Sequence, residues 1–477
     1  MTVTTVAVLM AGIDTRIVIV GLPQIAAALK ADAEQAIWFT QAYTLGSTVI
    51  LLLIGRLSDI FGRVKIYTYG FAIFTIGSAL ISLSNTPNMV ILFRFIQGFG
   101  SGIIFTNSIV LITDATPPNE LGFTLGLNMS SFRFGAMAGL TLSGFLLSIL
   151  DWRALFYINV PIGIFGTFWA RRRLREMAHV DKAAPMDWVG FVTFTAFITS
   201  LLLGLTFAAY GMTELTTAYG LIVISIISLV IFVHFERKAA HPLFDLKILK
   251  LREYSGGVVA QLLNAAAWGA VLFLASLYLQ LVVGLDPFSA GLMLIPFELS
   301  VLATGALSGK LADRFGNIYF TTAGLAVTSI SLLLLSTAGV DAPYHSAIFY
   351  LVLFGVGTGL FASPNVSSTM GAVPEDRRGV ASAFRVLTFN VGLTLSLNLA
   401  ILFITFTVPY AELTQMITSM NAVFVTETEK VAFMQGIQST YLWLAAINTI
   451  AILPSVLRGK RRLETNRITN AETTAES

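Results

Sequence analysis

Long apolar runs joined by bridges too short to hold a domain constrain this chain more than anything else in it. From Trp38 the sequence runs apolar to Gly55, and a second such run follows from Ile66 to Ser84. Each run is long enough to cross a bilayer as a helix, which takes about 20 residues at about 1.5 Å of rise each. Between them lies only Gly55-Arg56-Leu57-Ser58-Asp59-Ile60-Phe61-Gly62-Arg63-Val64-Lys65. A bridge that short forces an antiparallel helix pair. Gly55 and Gly62 permit close backbone approach, and Gly62 permits a tight turn. Asp59 and Arg63 stand four apart, the spacing of an ion pair if the helix continues through them.

The phrase returns. Gly309-Lys310-Leu311-Ala312-Asp313-Arg314-Phe315-Gly316 repeats the pattern G-[RK]-L-x-D-x-F-G, 254 residues after Gly55. A second echo sets Gly139-Leu140-Thr141-Leu142-Ser143 against Gly392-Leu393-Thr394-Leu395-Ser396, offset by 253 residues. Two long blocks in nearly one register describe an internally duplicated membrane protein. Only 12% of the 477 residues are charged, about half the share in a soluble domain. With 56% hydrophobic residues, the chain belongs to the polytopic membrane class. A net charge of +3 gives no reason to expect a nucleic-acid partner. The absence of cysteine excludes thiolate metal sites and a cysteine nucleophile. His179, His234, His241 and His345 have no metal-ligand spacing, so neither a metal, a cofactor nor an enzyme's constellation is expected.

Hydropathy predicts an all-α protein of fourteen transmembrane helices, near 4–27, 38–57, 66–84, 89–112, 121–149, 154–170, 188–209, 216–235, 255–282, 288–310, 318–338, 346–370, 380–407 and 438–457. An even number puts both termini on one side. The short loops on that side hold Arg63, Lys65, the arginines of 171–175, Arg314, Arg377, Arg378 and the basic run 458–462, whereas the other side has Lys30, Arg153 and Lys430. The positive-inside rule therefore makes both ends cytoplasmic in a cell membrane. The motif echoes divide the chain into a six-helix bundle over 1–175, a linker with two extra helices over 176–253, a second six-helix bundle over 254–460 and a disordered tail over 461–477. The segment 409–433 is the one long external loop in this reading.

Away from the span ends, where Arg56, His234 and Lys310 lie, six ionisable residues fall inside the spans: Asp14, Arg16, Arg94, Arg133, Glu298 and Arg385. Each costs about 2.5–3.5 kcal/mol near a helix centre, so each is expected to face a wet passage or a partner. Arg94 opens Arg94-Phe95-Ile96-Gln97-Gly98-Phe99-Gly100-Ser101-Gly102, where Gly98 and Gly102 make a close-packing face and Arg94 and Gln97 a polar edge. The duplicate keeps Gly355 and Gly359 but has Leu351 where Arg94 stands. Packing thus needs the glycines, and the charge has another task. A third constellation, Gly126, Gly135, Gly139, Ser143 and Gly144, predicts a groove of small residues along one helix. The four arginines outnumber Asp14 and Glu298 by two charges, which points to an anionic or zwitterionic substrate.

On these motifs the chain resembles the major facilitator superfamily, and within it the fourteen-helix drug:proton antiporter group. Gly55 to Lys65 resembles the family's loop signature G-x-L-a-D-r-x-G-r-k, and Arg94 to Gly98 its R-x-x-Q-G motif. Gly126, Gly135, Gly139 and Gly144 resemble the exporter signature G-x8-G-x3-G-P-x2-G-G, with Leu140 for its proline and Ser143 for a glycine. Asp14 to Pro23 resembles the helix-1 pattern D-x-T-I-V-N-V-A-L-P, with Arg16 and Ile19 as departures. Asp151-Trp152-Arg153 with Phe156, Asn159 and Pro161 resembles the segment leading into helix 6. The resemblance implies a secondary exporter of amphiphilic drugs or metabolites, coupled to protons and rocking two bundles within the lipid bilayer. It implies proton and substrate sites at Asp14, Arg94 and Gln97, with Glu298, Arg133, Arg16 and Arg385 as further candidates. It also implies a conformational latch at Gly55, Asp59, Gly62 and Arg63, repeated at Gly309, Asp313 and Gly316. A facilitator or importer of the same fold is the alternative, and a monomer suits either.

Overall fold

The structure, a computed structural model, describes residues 2–116, 121–176, 187–210, 215–239, 244, 246–340, 343–374, 377–409, 412–413 and 427–459. The expected tail 461–477, most of the 409–433 segment, His179 and His241 lie outside the described residues. Everything described is helical or connecting. The helices are α1 (Thr2–Leu29), α2 (Ala33–Phe61), α3 (Arg63–Ser82), α4 (Pro87–Ala115), α5 (Leu121–Ile149), α6 (Ala154–Tyr157), α7 (Asn159–Arg173), α8 (Trp188–Tyr210), α9 (Leu215–Glu236), α10 (Arg252–Trp268), α11 (Val271–Leu277), α12 (Pro287–Phe315), α13 (Asn317–Leu335), α14 (Tyr344–Gly371), α15 (Arg378–Ile404) and α16 (Glu427–Leu457). Twelve helical runs among the described residues are long and apolar enough to cross a membrane, with α10 and α11 counted as one run through Val282.

Local chemistry sets the ends. Asp32 closes a capping box on α2, its Oδ1 accepting from Gln35 N (2.7 Å) while Gln35 Oε1 accepts from Asp32 N (3.2 Å). Asp286 caps α12 by accepting from Phe288 N and Ser289 N, with Pro287 in the first turn. The repeated phrase builds one turn twice. Gly62 (φ 95°, ψ 136°) ends α2, and Gly316 (φ 99°, ψ 136°) ends α12, a region where a Cβ is strained. The helix therefore stops between Asp59 and Arg63, and the expected continuous-helix spacing of that pair does not arise.

Two predicted spans are interrupted. The run 154–170 breaks at Ile158, between α6 and α7. Pro161 has no N–H to give the Tyr157 carbonyl and its ring crowds that oxygen, but it is tolerated in the first turn of a new helix. The run 255–282 breaks after Trp268, where Ala270 N donates to Ser396 Oγ (2.9 Å) instead of continuing the ladder. The run then ends in a π-helical turn, Tyr278–Val282.

Helices α1–α7 pack chiefly on one another, as do α10–α16; α8 pairs with α9 and reaches both α2 and α15. The groups meet where α5 crosses α12 and α2 crosses α15. The second sequence echo is a packing device in both. Ser143 Oγ donates to Ile17 O on α1 (2.8 Å), and Ser396 takes the Ala270 N–H, so each serine fastens its helix to the first helices of its own group. Gly139 lies against the Ile13 carbonyl as Gly392 lies against that of Leu262.

The α5–α12 crossing is antiparallel, with Gly144 against Phe288, Leu140 against Gly291 and Arg133 against Glu298. One end of the molecule therefore holds the start of α1 and the end of α16; this is the terminal face. On the far face a single apolar core crosses between the groups, from Ile17, Leu22 and Phe39 to Val271, Leu294, Ile401 and Ile437. Toward the terminal face the apolar cores are separate: Tyr67, Phe71 and Ala170 in one group, Tyr254, Val258 and Val373 in the other. Among the described residues, one cluster, running through α8 and α9, joins Leu45 and Val49 to Leu387 and Val391 there. The outward face of α9 is apolar and exposed, with Val223, Ile226 and Val230 each more than half accessible, as a lipid-facing helix requires.

Candidate functional site

The six charges within the helices resolve into three arrangements. The first lies wholly among α1–α7. Asp14 of α1 is fully buried, and its Oδ2 accepts from Arg94 Nη1 of α4 at 2.8 Å. Its Oδ1 accepts from Gln97 Nε2 (2.8 Å) and from Asn159 Nδ2 at the start of α7 (2.9 Å). Arg94 also donates Nε to the Phe39 carbonyl (2.8 Å) and Nη1 to Gln97 Oε1 (2.7 Å), with the Tyr43 ring 4.4 Å beneath it. Ser78 of α3 takes the remaining Gln97 and Asn159 donors at 3.2 and 3.4 Å. Charge is matched and nearly every donor has an acceptor, which is what lets an ion pair persist without water.

The second arrangement crosses between the groups. Glu298 of α12 is fully buried, and its Oε1 accepts from Arg16 Nη2 (2.8 Å) and Nε (3.0 Å) of α1. Its Oε2 accepts from Arg133 Nη1 of α5 (2.9 Å). One carboxylate thus holds two guanidinium groups and leaves a net positive charge. Arg16, two residues from Asp14 and on another helix face, is only 4% exposed. It lies 5.1 Å from the Trp268 ring centre. It does not reach for a membrane surface, as a long side chain near a helix end can. Arg133 is more open, with 23% of its side chain accessible.

The third is Arg385 of α15. Its Nη1 donates to Gln261 Oε1 (3.2 Å), and its carbonyl accepts from Gln261 Nε2 (3.1 Å). Among the described residues no carboxylate reaches it, and its Nε has no acceptor.

The glycines are packing surfaces. A methyl group on Gly135 would fall on the Leu9 carbonyl, on Gly139 on that of Ile13, and on Gly144 on the Phe288 backbone. The expected groove of small residues along α5 is occupied, by α1 on one stretch and by α12 on the next. Gly98 and Gly102 carry the α2–α4 crossing, and Gly355 and Gly359 the α12–α14 crossing. In the bridge, Arg63 starts α3 and donates to Asp114 Oδ1 near the end of α4 (2.6 Å). Gly309 lies against the Ser363 side chain. Gly55 and Asp59 lie on α2, Gly126 on α5 and Asp313 on α12, but their surroundings fall outside the described positions.

From the sequence Asn159 stands out only as a motif position, and Ser78, Asp114, Gln261 and Trp268 not at all. Asn159 and Gln261 carry the same signal as the charges, a lone polar side chain in an apolar run. Asp114 is the only acid in its span's last turn. Trp268 reads as bulk until its neighbours are known.

The Major Facilitator Superfamily profile matches residues 4–397. The riboflavin transporter RibZ of Clostridioides difficile (strain 630) is 31% identical over 391 residues, covering 81% of this chain and 84% of that protein. The multidrug transporter protein MdtP of Bacillus subtilis (strain 168) is 26% identical over 398 residues, covering 82% and 73%. Among solved structures, a bacterial homolog of the human lysosomal transporter Spinster, in an inward-facing and occupied conformation, aligns with a TM-score of 0.65. That alignment covers 96% of this chain and 95% of the other at 15% identity, a likeness of fold.

Proposed function

The chain belongs to the Major Facilitator Superfamily, membrane transporters and not enzymes, and from that premise we propose that it is a secondary active exporter. Its cargo is an amphiphilic drug or metabolite, carried against protons by alternating access. The observation that carries this reading is the contrast between two carboxylates. Asp14 is held by α4 and α7 of its own helix group, whereas Glu298 of one group is held by Arg16 and Arg133 of the other. Neutralising Glu298 removes the attraction between the groups, and neutralising Asp14 frees Arg94 without parting them. A proton can therefore be linked both to binding and to the switch between states, since a ligand shifts a conformational equilibrium by its differential affinity.

In this proposal the chain divides into a six-helix bundle over 1–175, an inserted pair within 176–253 and a second bundle over 254–460. The broken α6–α7 run and α2 serve as two further spans beside the twelve, giving the fourteen of the drug:proton antiporter group. The loop arginines place the terminal face in the cytoplasm. The shared far-face core and the separate terminal-face cores then describe a state closed to the outside. The turn at Gly62, with the Arg63–Asp114 pair, serves as the cytoplasmic latch. Relatives named as a multidrug transporter protein and a multidrug resistance protein support export.

The test is transport by the purified full chain in proteoliposomes with an imposed pH gradient, screened over cationic, neutral and anionic amphiphiles. Uphill movement that follows the gradient is expected, with Asp14→Asn and Arg94→Ala abolishing it while remaining inserted. Retained uphill transport in Asp14→Asn moves the coupling to Glu298. Transport by the native chain that runs only down its own substrate gradient refutes the exporter and favours the facilitator.

A further inference from the structure

Two buried N–H donors without acceptors lie on one wall between the helix groups. They are Arg385 Nε on α15 and Trp268 Nε1 on α10. The pattern that joins them is regular. Trp268 packs on Phe389 (ring centres 6.1 Å apart), and seven residues earlier on α10 Gln261 bonds Arg385, which is four residues before Phe389. Seven and four residues both return to the same helix face, about 10 and 6 Å along the axis. The wall therefore has an aromatic tier, Trp268 and Phe389 with Phe297 (6.5 Å from Trp268), and a cationic tier at Arg385 on the terminal-face side of it. Arg16 of the other helix group lies over Trp268, so this wall faces the seam between the groups.

A buried donor left without an acceptor is costly, more so when it is charged. Two of them on one wall, one on a guanidinium that no carboxylate among the described residues neutralises, are available to an acceptor from outside the chain. Gln261 fixes Arg385 from both ends of its amide without cancelling its charge. A planar guanidinium with free edges suits a carboxylate or a similar acidic group. The tier above suits a flat apolar body.

Resting on the exporter reading above, we propose that the cargo is an aromatic amphiphile with an acidic group. Arg385 takes the acid, Trp268 and Phe389 take the ring, and Arg133 with Arg16 forms a second cationic pole that Glu298 occupies when no cargo is bound. The charge balance is consistent with this. Asp14 neutralises Arg94 and Glu298 neutralises one of its two arginines, leaving two positive charges in the seam.

The test uses the full-length chain in lipid nanodiscs and three probes of one shape: 2-naphthoate, 2-naphthylmethanol and 2-naphthylmethylammonium. Equilibrium dialysis of the native chain should rank naphthoate first. Arg385→Gln should weaken naphthoate about tenfold or more, the worth of a charge-assisted bond, and leave naphthylmethanol unchanged. Arg385→Lys should retain an intermediate affinity, and Trp268→Phe should cost less than Arg385→Gln; these variants hold if Arg385→Gln misfolds. Preference for the ammonium probe, no binding of naphthoate by the native chain, or naphthoate affinity unchanged in Arg385→Gln overturns the assignment. The exporter reading is read separately, from pH-driven transport. Arg385-dependent naphthoate binding with no pH-driven transport of any probe refutes the exporter alone. pH-driven transport of the ammonium probe, indifferent to Arg385→Gln, refutes the anionic site alone.

Discussion

Glu298→Gln should loosen the closed far face. Glu298 receives three bonds from Arg16 and Arg133, all between helix groups, and is itself fully buried. Removing one partner of a buried ion pair costs about 3–5 kcal/mol. Glutamine keeps one acceptor for one arginine, so about 2–4 kcal/mol of the contact is lost. All of it belongs to conformations in which α12 touches α1 and α5. At about 1.4 kcal/mol per decade, the population parted along α5–α12 rises by roughly thirtyfold to several hundredfold. The chain has no cysteine, so a single reporter suffices. Leu140 is fully buried on α5, with its carbonyl against Gly291 of α12. In a Leu140→Cys background, the rate of labelling by a membrane-impermeant maleimide should follow that population and rise about thirtyfold or more with Glu298→Gln. Asp14→Asn should leave the rate unchanged, because its partners share its helix group. Equal labelling in the Glu298→Gln and parent chains refutes the claim that this pair fastens the two groups.

Two further outcomes follow from packing. Gly139→Ala should lower thermal stability by about 1–3 kcal/mol, the cost of overpacking, since its methyl would press on Ile13 and Arg16. Gly220→Ala on α9, with nothing within 4 Å, should instead be neutral or slightly stabilising in the same melt. Thr206 of α8 donates to Gln41 of α2 (3.1 Å) and accepts from Asn398 of α15 (3.0 Å), while Gln41 also donates to Asn398. Thr206→Val should cost about 1–3 kcal/mol in melting experiments and Thr206→Ser little; equal melting of both refutes a role for this ring in tying α8 to the α2–α15 crossing.

The turns and spans were legible because they depend on local chemistry. Gly62 and Gly316 announce themselves by a charged glycine-bounded phrase, and both take the same positive φ. The importance of Asp14, Arg94 and Glu298 was legible from the cost of charge in hydrocarbon. What the charges do to one another was not. Arg16 and Glu298 are 282 residues apart and Arg94 and Asp14 80, and no periodicity encodes which helices become neighbours. The cost of charge in hydrocarbon therefore says only that each side chain faces a wet passage or a partner; Arg16, Arg94 and Arg133 each meet a carboxylate, and among the described residues Arg385 does not. The α5 glycines read as a groove of small residues without an occupant, because spacing reveals that a face is small, not what fills it. The break at Ile158 was readable from Pro161. The break after Trp268 was not, because its cause is Ser396 on another helix.

The duplication itself separates packing from chemistry at Asp14. In the second helix group, Asn264 of α10 donates to Asn448 Oδ1 of α16 (2.8 Å), and Asn448 Nδ2 donates to Ser329 Oγ of α13 (2.9 Å). In the first group the corresponding helices, α1, α7 and α3, are joined by Asp14, Asn159 and Ser78. A neutral amide cluster therefore suffices to hold three such helices together, and where it does so Leu351 stands at the place of Arg94. Asp14→Asn alone should insert but lose about 3–5 kcal/mol of stability, because Arg94 is left buried without its counter-charge. Asp14→Asn with Arg94→Leu imitates the second group and should recover most of that loss in a thermal melt. If the pair were only a fastening, the double variant would regain transport along with stability. The expectation is a stable chain with no pH-driven uphill transport, and its recovery of that transport would show that the charge at Asp14 serves the fold alone.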